Sequence, residues 1–207
     1  MEISERSLRA LMAATDDQHR AGMRAMPDEI RALHHETRGY RRVAAATGDA
    51  AIAAFAESVE LAAVAAYGVA AKSGLVTTKA VLDAAVLFSG HHQEHADAFG
   101  AAAGGAATGK ANQKLLDALS PSLTAAKTEI DVVKFAFGLE QAAAATYLFA
   151  LGALESEAAL QLTASILPVE AQHAVVLGQV FGAKPDDFLP PFETEAAALD
   201  PAAYALG

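Results

Sequence analysis

Two stretches of this chain place the same polar residues at the same positions of an apolar helical pattern, and that repetition constrains the fold most. Phe55-Ala-Glu-Ser-Val-Glu60 lies against Phe135-Ala-Phe-Gly-Leu-Glu140 at an offset of 80, and the match continues through Ala63/Ala143, Tyr67/Tyr147 and Ala70/Ala150. Gly90-His91-His92-Gln93-Glu94-His95 lies against Pro168-Val169-Glu170-Ala171-Gln172-His173 at an offset of 78, with Phe99-Gly100 against Leu177-Gly178. Alanine supplies 53 of the 207 residues, so alanine matches carry little weight. The Glu, Tyr and His matches carry the repeat. Each half then reads as a helical hairpin of one design, and two hairpins make an antiparallel bundle.

The local pattern agrees. Alanine has the best helix propensity of any residue, and the absence of long Val/Ile alternation excludes an all-β fold. The chain reads as helices over 50–73, 77–103, 112–119, 122–154 and 157–182. Their stops are Ser73-Gly74, the flexible stretch Ala101–Gly109, Ser120-Pro121 and Glu155-Ser156. The fold class is all-α, a four-helix bundle built from two repeated hairpins over residues 49–184. A Pro-rich tail, 185–207, carries Pro185, Pro190, Pro191 and Pro201 and reads as mostly irregular. Cysteine is absent, which excludes disulfides, thiolate zinc sites and iron–sulfur clusters.

Charge marks off the first 48 residues. All eight arginines lie there, with seven acids, for a net charge of +1; from Asp49 onward there are seven lysines and 18 acids, a net −11. The total of −10, with a pI near 5.1, argues against nucleic acid as a partner. Leu8, Leu11 and Met12, then Met23, Met26, Ile30 and Leu33, recur at helical spacing, so 1–48 reads as an Arg-rich helical arm, with Pro27 in the first turn of its second helix. Arg41-Arg42 before Val43–Ala46 resembles a twin-arginine export signal, but the apolar run ends at Gly48-Asp49 and is shorter than such signals need. A cytoplasmic location is the expectation, with export through a trimmed segment at 38–47 as the alternative. No membrane span is expected. Ala-rich faces permit close helix approach, which points to a homodimer.

The matched polar residues fall where a metal site needs them. Glu170 and His173 are three apart, hence neighbours on one helix face, and His92 with His95 repeat that spacing. Glu60 and Glu140 sit mid-helix among Ala, Val, Leu and Phe, where a lone carboxylate is costly to bury. The separations Glu60–His92 (32 residues) and Glu140–Glu170 (30) let the chain climb one helix, turn and return to the same level. All six side chains can converge on one layer. Tyr67 and Tyr147 follow the glutamates by seven residues on the same face, placed either to hydrogen-bond ligands of the opposite hairpin or to form an aromatic core layer. Pro168 can bend its helix or be tolerated in it. Glu57 faces Phe137, His91 faces Val169 and Glu94 faces Gln172, so Glu57 reads as a surface residue and His91 and Glu94 as non-ligands. His19, His34 and His35 have no partner spacing and read as solvated.

One Glu from each of two helices, with Glu-x-x-His from each of the other two, is the di-iron or di-manganese pattern of the ferritin-like superfamily, and residues 50–182 resemble it. The resemblance is nearest to bacterial ferritin-like domain proteins rather than to cage-forming ferritins. It implies a metal site of Glu60, His92, His95, Glu140, Glu170 and His173, holding two Fe ions, with Mn or Zn as alternatives. His92 stands where the pattern has glutamate; Glu94 is the alternative for that place, although it lies about 100° around the helix from His95. Three carboxylates with neutral imidazoles leave two divalent ions at a formal +1, which disfavours the diferric state and opens the site to zinc or copper. Three functions follow: a di-metal oxidoreductase reacting with O₂ or peroxide, a non-catalytic metal-binding or stress protein, and a structural bundle that has lost its metal.

Overall fold

The computed structural model describes residues 5–25, 48–188 and 192–206, and all regular structure among them is helical. Helix α1 spans Glu5–Ala25, α2 Gly48–Lys72, α3 Lys79–Ala103, α4 Gln113–Ala125, α5 Glu129–Leu151, α6 Glu157–Val180 and α7 Pro185–Phe188. The hairpins are α2 with α3 and α5 with α6; α3 also meets α6, and α2 meets α5, closing the four-helix bundle. The arm's second helix, the stretch 38–47 with Arg41-Arg42, His34 and His35, and the side chain of His19 lie outside the described residues.

Two carboxylates pin each hairpin's entry to the other. Asp49, in the first turn of α2, accepts from the backbone N–H groups of Glu155 (2.9 Å) and Ser156 (2.8 Å) ahead of α6. Glu129, in the first turn of α5, accepts from those of Thr77 and Thr78 (both 2.7 Å) ahead of α3. Both carboxylates also sit at positive helix ends. Their hydrogen bonds outweigh the upward pull of burial and hold both below their ordinary pKa values.

Two helix boundaries differ from the sequence expectation. Helix α4 runs through Pro121 to Ala125 instead of stopping at Ser120-Pro121, and α5 begins at Glu129 rather than at 122. Pro121 is exposed, so it removes one helix hydrogen bond at a position water can reach. The real break is a capping box: Thr128 Oγ1 accepts from Asp131 N, and Asp131 Oδ2 accepts from Thr128 N. Pro168 is likewise accommodated within an unbroken α6.

The flanking segments pack on the bundle. Leu8 and Met12 of α1 join the cluster of Tyr67, Phe88, Val133 and Val176, and Arg9 pairs with Asp83 at 3.1 Å. The tail contains α7 and a short 3-10 turn, and Leu199 and Tyr204 cover Phe55, Val59 and Leu115. Asn112 joins three segments. It caps α4 at Leu115 N (3.1 Å) and donates to Ser58 Oγ (3.2 Å) and Tyr204 O (2.8 Å). Among the described residues one helix, α2, is long and apolar enough to cross a membrane by length and composition, and 61% of its most apolar window is buried within the bundle.

Asp49→Ala and Glu129→Ala are each expected to destabilise the protein by about 1 kcal/mol at pH 7. Their folded pKa values are depressed, so the contribution is present above the ordinary carboxylate range and lost as pH falls through it. Urea titrations of the variants at pH 7 and pH 3 test this: the difference from wild type shrinks at the lower pH.

Candidate metal centre

Glu60 comes from α2, His92 and His95 from α3, Glu140 from α5, and Glu170 and His173 from α6; none is more than 1% exposed. They form two overlapping groups, Glu60/His92/His95/Glu170 and His92/Glu140/Glu170/His173, each with one donor atom per residue within 4.8 Å of the others. Glu170 and His92 belong to both. The six residues picked out by spacing therefore meet in one layer.

The contacts are close. His92 Nδ1 lies 2.6 Å from Glu60 Oε2, and its Nε2 lies 3.3 Å from Glu140 Oε1, so its two nitrogens face different groups. His95 Nδ1 lies 2.8 Å from Glu170 Oε1 and 3.4 Å from Glu60 Oε1. His173 Nδ1 lies 3.1 Å from Glu140 Oε2 and 3.4 Å from Glu170 Oε2. Tyr67 Oη, on the first hairpin, donates to Glu140 on the second, and Tyr147 Oη, on the second, donates to Glu60 on the first. Both oxygens of Glu170 are buried and make no directed hydrogen bond, although imidazoles approach them. A polar layer of nitrogen and oxygen donors, including a buried carboxylate with unsatisfied lone pairs, fits a first-row divalent cation. Aromatic rings shield it: Phe88 stacks on His173 at 4.0 Å between centroids, and Phe99 stacks on Tyr147 at 5.4 Å.

His91 lies outside both groups, as expected of a residue not favoured as a ligand, but it touches one of them, and Glu57 departs from its surface reading. His91 is buried, with Nδ1 2.9 Å from His173 Nε2 and Nε2 3.4 Å from Asp16 Oδ1 on α1; Asp16 in turn accepts from Arg20. A chain of polar contacts thus runs from the arm to the centre. Its sequence match, Val169, gave no sign of it, because Asp16 lies outside the repeat. Glu57 is buried as well, not on the surface. Its carboxylate accepts from Thr108 N (2.9 Å) and Gly109 N (3.2 Å), clamping the turn after α3. Gly100 makes room for it, since a Cβ there would stand 2.7 Å from Glu57 Oε1. Glu94 is exposed and outside both groups.

Without a cation, opposite charges must compensate one another. Burial pushes the Glu60 carboxyl up, but the His92 and His95 charges outweigh it and hold it at about 2. Burial pushes His95 down, yet Glu60 and Glu170 raise it to about 9. His92 and His173 are raised, and Glu140 lowered, by the same opposition. Burial and the neighbouring carboxylates hold Tyr67 and Tyr147 protonated, as donors.

Two outcomes follow. The His95 proton stabilises the folded chain fully below its ordinary value near 6.5, and that contribution is lost as pH rises through about 9. The Glu60 contribution is present above 4.5 and lost as pH falls through about 2. Calorimetry of chelator-treated protein should therefore show the melting temperature falling between pH 6.5 and pH 9. His91→Ala, which leaves His173 without its outer nitrogen's partner, should weaken divalent metal affinity roughly 10–100-fold, read by competition with a chromophoric chelator.

Comparison with known proteins agrees with this geometry at the level of family. No curated protein and no solved structure matches the chain. A family model described as ferritin-like domain matches residues 48–183, which runs from the first residue of α2 to just beyond α6 and includes all six clustered side chains. The chain belongs to the ferritin-like domain family.

Proposed function

We propose that the chain binds two transition-metal ions, iron or manganese foremost, in the layer formed by Glu60, His92, His95, Glu140, Glu170 and His173, and that the loaded centre exchanges electrons with O₂ or peroxide. The observation that carries this reading is the pair of overlapping four-residue groups, buried throughout and sharing Glu170 and His92. Glu60 and His95 would hold one ion and Glu140 and His173 the other, with Glu170 and His92, which belong to both groups, available to either. His92 presents Nδ1 toward Glu60 and Nε2 toward Glu140.

With a neutral His92 ring, the three carboxylates would leave two divalent ions at a formal +1, the consequence of histidine standing where the family pattern has glutamate. Bound metal supplies a redox couple and a Lewis acid. This chain's residues supply the rest: Tyr67 and Tyr147 hold Glu140 and Glu60 in place, and the aromatic rings exclude water. Zinc fits the same donors, and a redox-silent zinc protein is the outcome that O₂ uptake separates from this one.

The test is metal analysis after reconstitution with Fe²⁺, Mn²⁺ or Zn²⁺, followed by O₂ consumption on adding Fe²⁺. Two ions per chain and O₂ uptake are expected in the wild type, with neither in Glu140→Ala/Glu170→Ala. No bound metal in any reconstitution overturns the reading, and one ion per chain overturns the two-ion centre. His92→Glu restores a fourth carboxylate; it should keep two ions and oxidise Fe²⁺ faster than the wild type in stopped-flow absorbance.

A further inference from the structure

A cavity of about 460 Å³ opens among α2, α4 and α5 and reaches Glu60, His92 and Tyr147 of the centre. Its size falls within the roughly 300–1,000 Å³ that small-molecule sites occupy. Its walls are apolar, with Val59, Leu115, Phe135 and Leu139 among them, while Ser122 and Asp131 stand exposed at its rim. Gly138 also lines it, and a Cβ built there meets nothing within 4 Å. The missing side chain on α5 keeps this space open, although glycine within a helix costs about 1 kcal/mol relative to alanine.

The wall chemistry selects the occupant. Among the lining residues the one ammonium is Lys134, and its Nζ sits over the ring of Phe181, 5.7 Å from the centroid, a ring that is not part of the lining. The other basic group on the lining, His92, is already held between the carboxylates of Glu60 and Glu140, which leaves no ready cation for an anionic ligand. Glu60 in turn is engaged by Tyr147 and His92, and Asp131 by the N–H groups of Lys127 and Thr128, which leaves no ready counter-charge for a cationic ligand. We propose that this cavity binds a neutral, largely hydrocarbon molecule whose inner end lies against Glu60 and His92. Its role as the substrate presented to the metal centre rests on the metal-binding reading above; its binding does not.

The probe is N-phenyl-1-naphthylamine, neutral at pH 7.5 and fluorescent in apolar surroundings, titrated into metal-loaded and chelator-treated protein. One saturable site per chain is expected in both, and in the chelator-treated protein 1-decanol displaces the probe and decanoate does not. Gly138→Leu and Ala142→Phe, which fill the cavity without changing a proposed ligand, should each weaken binding by at least about tenfold. Gly138→Ala should bind as the wild type does, and circular dichroism with metal analysis on every variant shows whether fold and metal content persist. Absence of a saturable site, equal affinity in wild type and both filled variants, or equal displacement by decanoate in the chelator-treated protein overturns the proposal. Saturable binding in protein that never takes up metal removes the metal reading alone; two bound ions without saturable probe binding removes the cavity alone.

Discussion

Three carboxylates and three imidazoles share one layer of this bundle with almost no access to water, and most of the surrounding structure follows from keeping them there. A buried charge without a partner costs several kcal/mol. Here each carboxylate faces imidazole nitrogens at 2.6–3.4 Å, and two of the three also accept from a buried tyrosine. The tyrosine bonds cross between hairpins. Removing either hairpin would strand polar groups on the other, so this layer makes each hairpin's burial depend on the other's. The same reciprocity recurs at the bundle's edge, where Asp49 and Glu129 tie each hairpin's entry to the loop of its counterpart.

Alanine makes room for this arrangement. Small residues such as Ala54, Ala62, Ala84 and Ala144 are buried along the helices and let the backbones approach, so the few large side chains decide the interior's shape. Phe88 and Phe99 stack on His173 and Tyr147 and keep the polar layer dry. The arm contributes to the same end. Leu8 and Met12 cover the cluster around Phe88, to which both hairpins contribute, and Asp16 reaches His91, which in turn faces His173. An element distinct in charge and composition is therefore joined physically to the centre's outer nitrogen.

Legibility tracked periodicity. The long helices, both hairpins and all six clustered side chains could be read because Glu, His and Tyr recur at fixed offsets within regular apolar helices, where spacing determines the face. Reading failed where a contact joined segments outside that register. Glu57 and His91 have no polar counterpart in the opposite half, yet each is buried because a loop or an arm helix folds over it. Pro121 misled the helix boundary because proline weighs heavily in a sequence pattern and lightly at an exposed helix position. The Thr128–Asp131 capping box decided the break instead.

The sequence by itself determined an all-helical chain, a bundle of two hairpins, and a polar layer of Glu60, His92, His95, Glu140, Glu170 and His173, since helical geometry converts residue spacing into height and face. Only the tertiary structure decided which donors share a group, that the two nitrogens of His92 face different glutamates, and that a cavity beside Gly138 reaches the centre. Those features depend on distances between helices and on side-chain rotamers. Both are set by packing among residues far apart in the chain, which no spacing along it encodes.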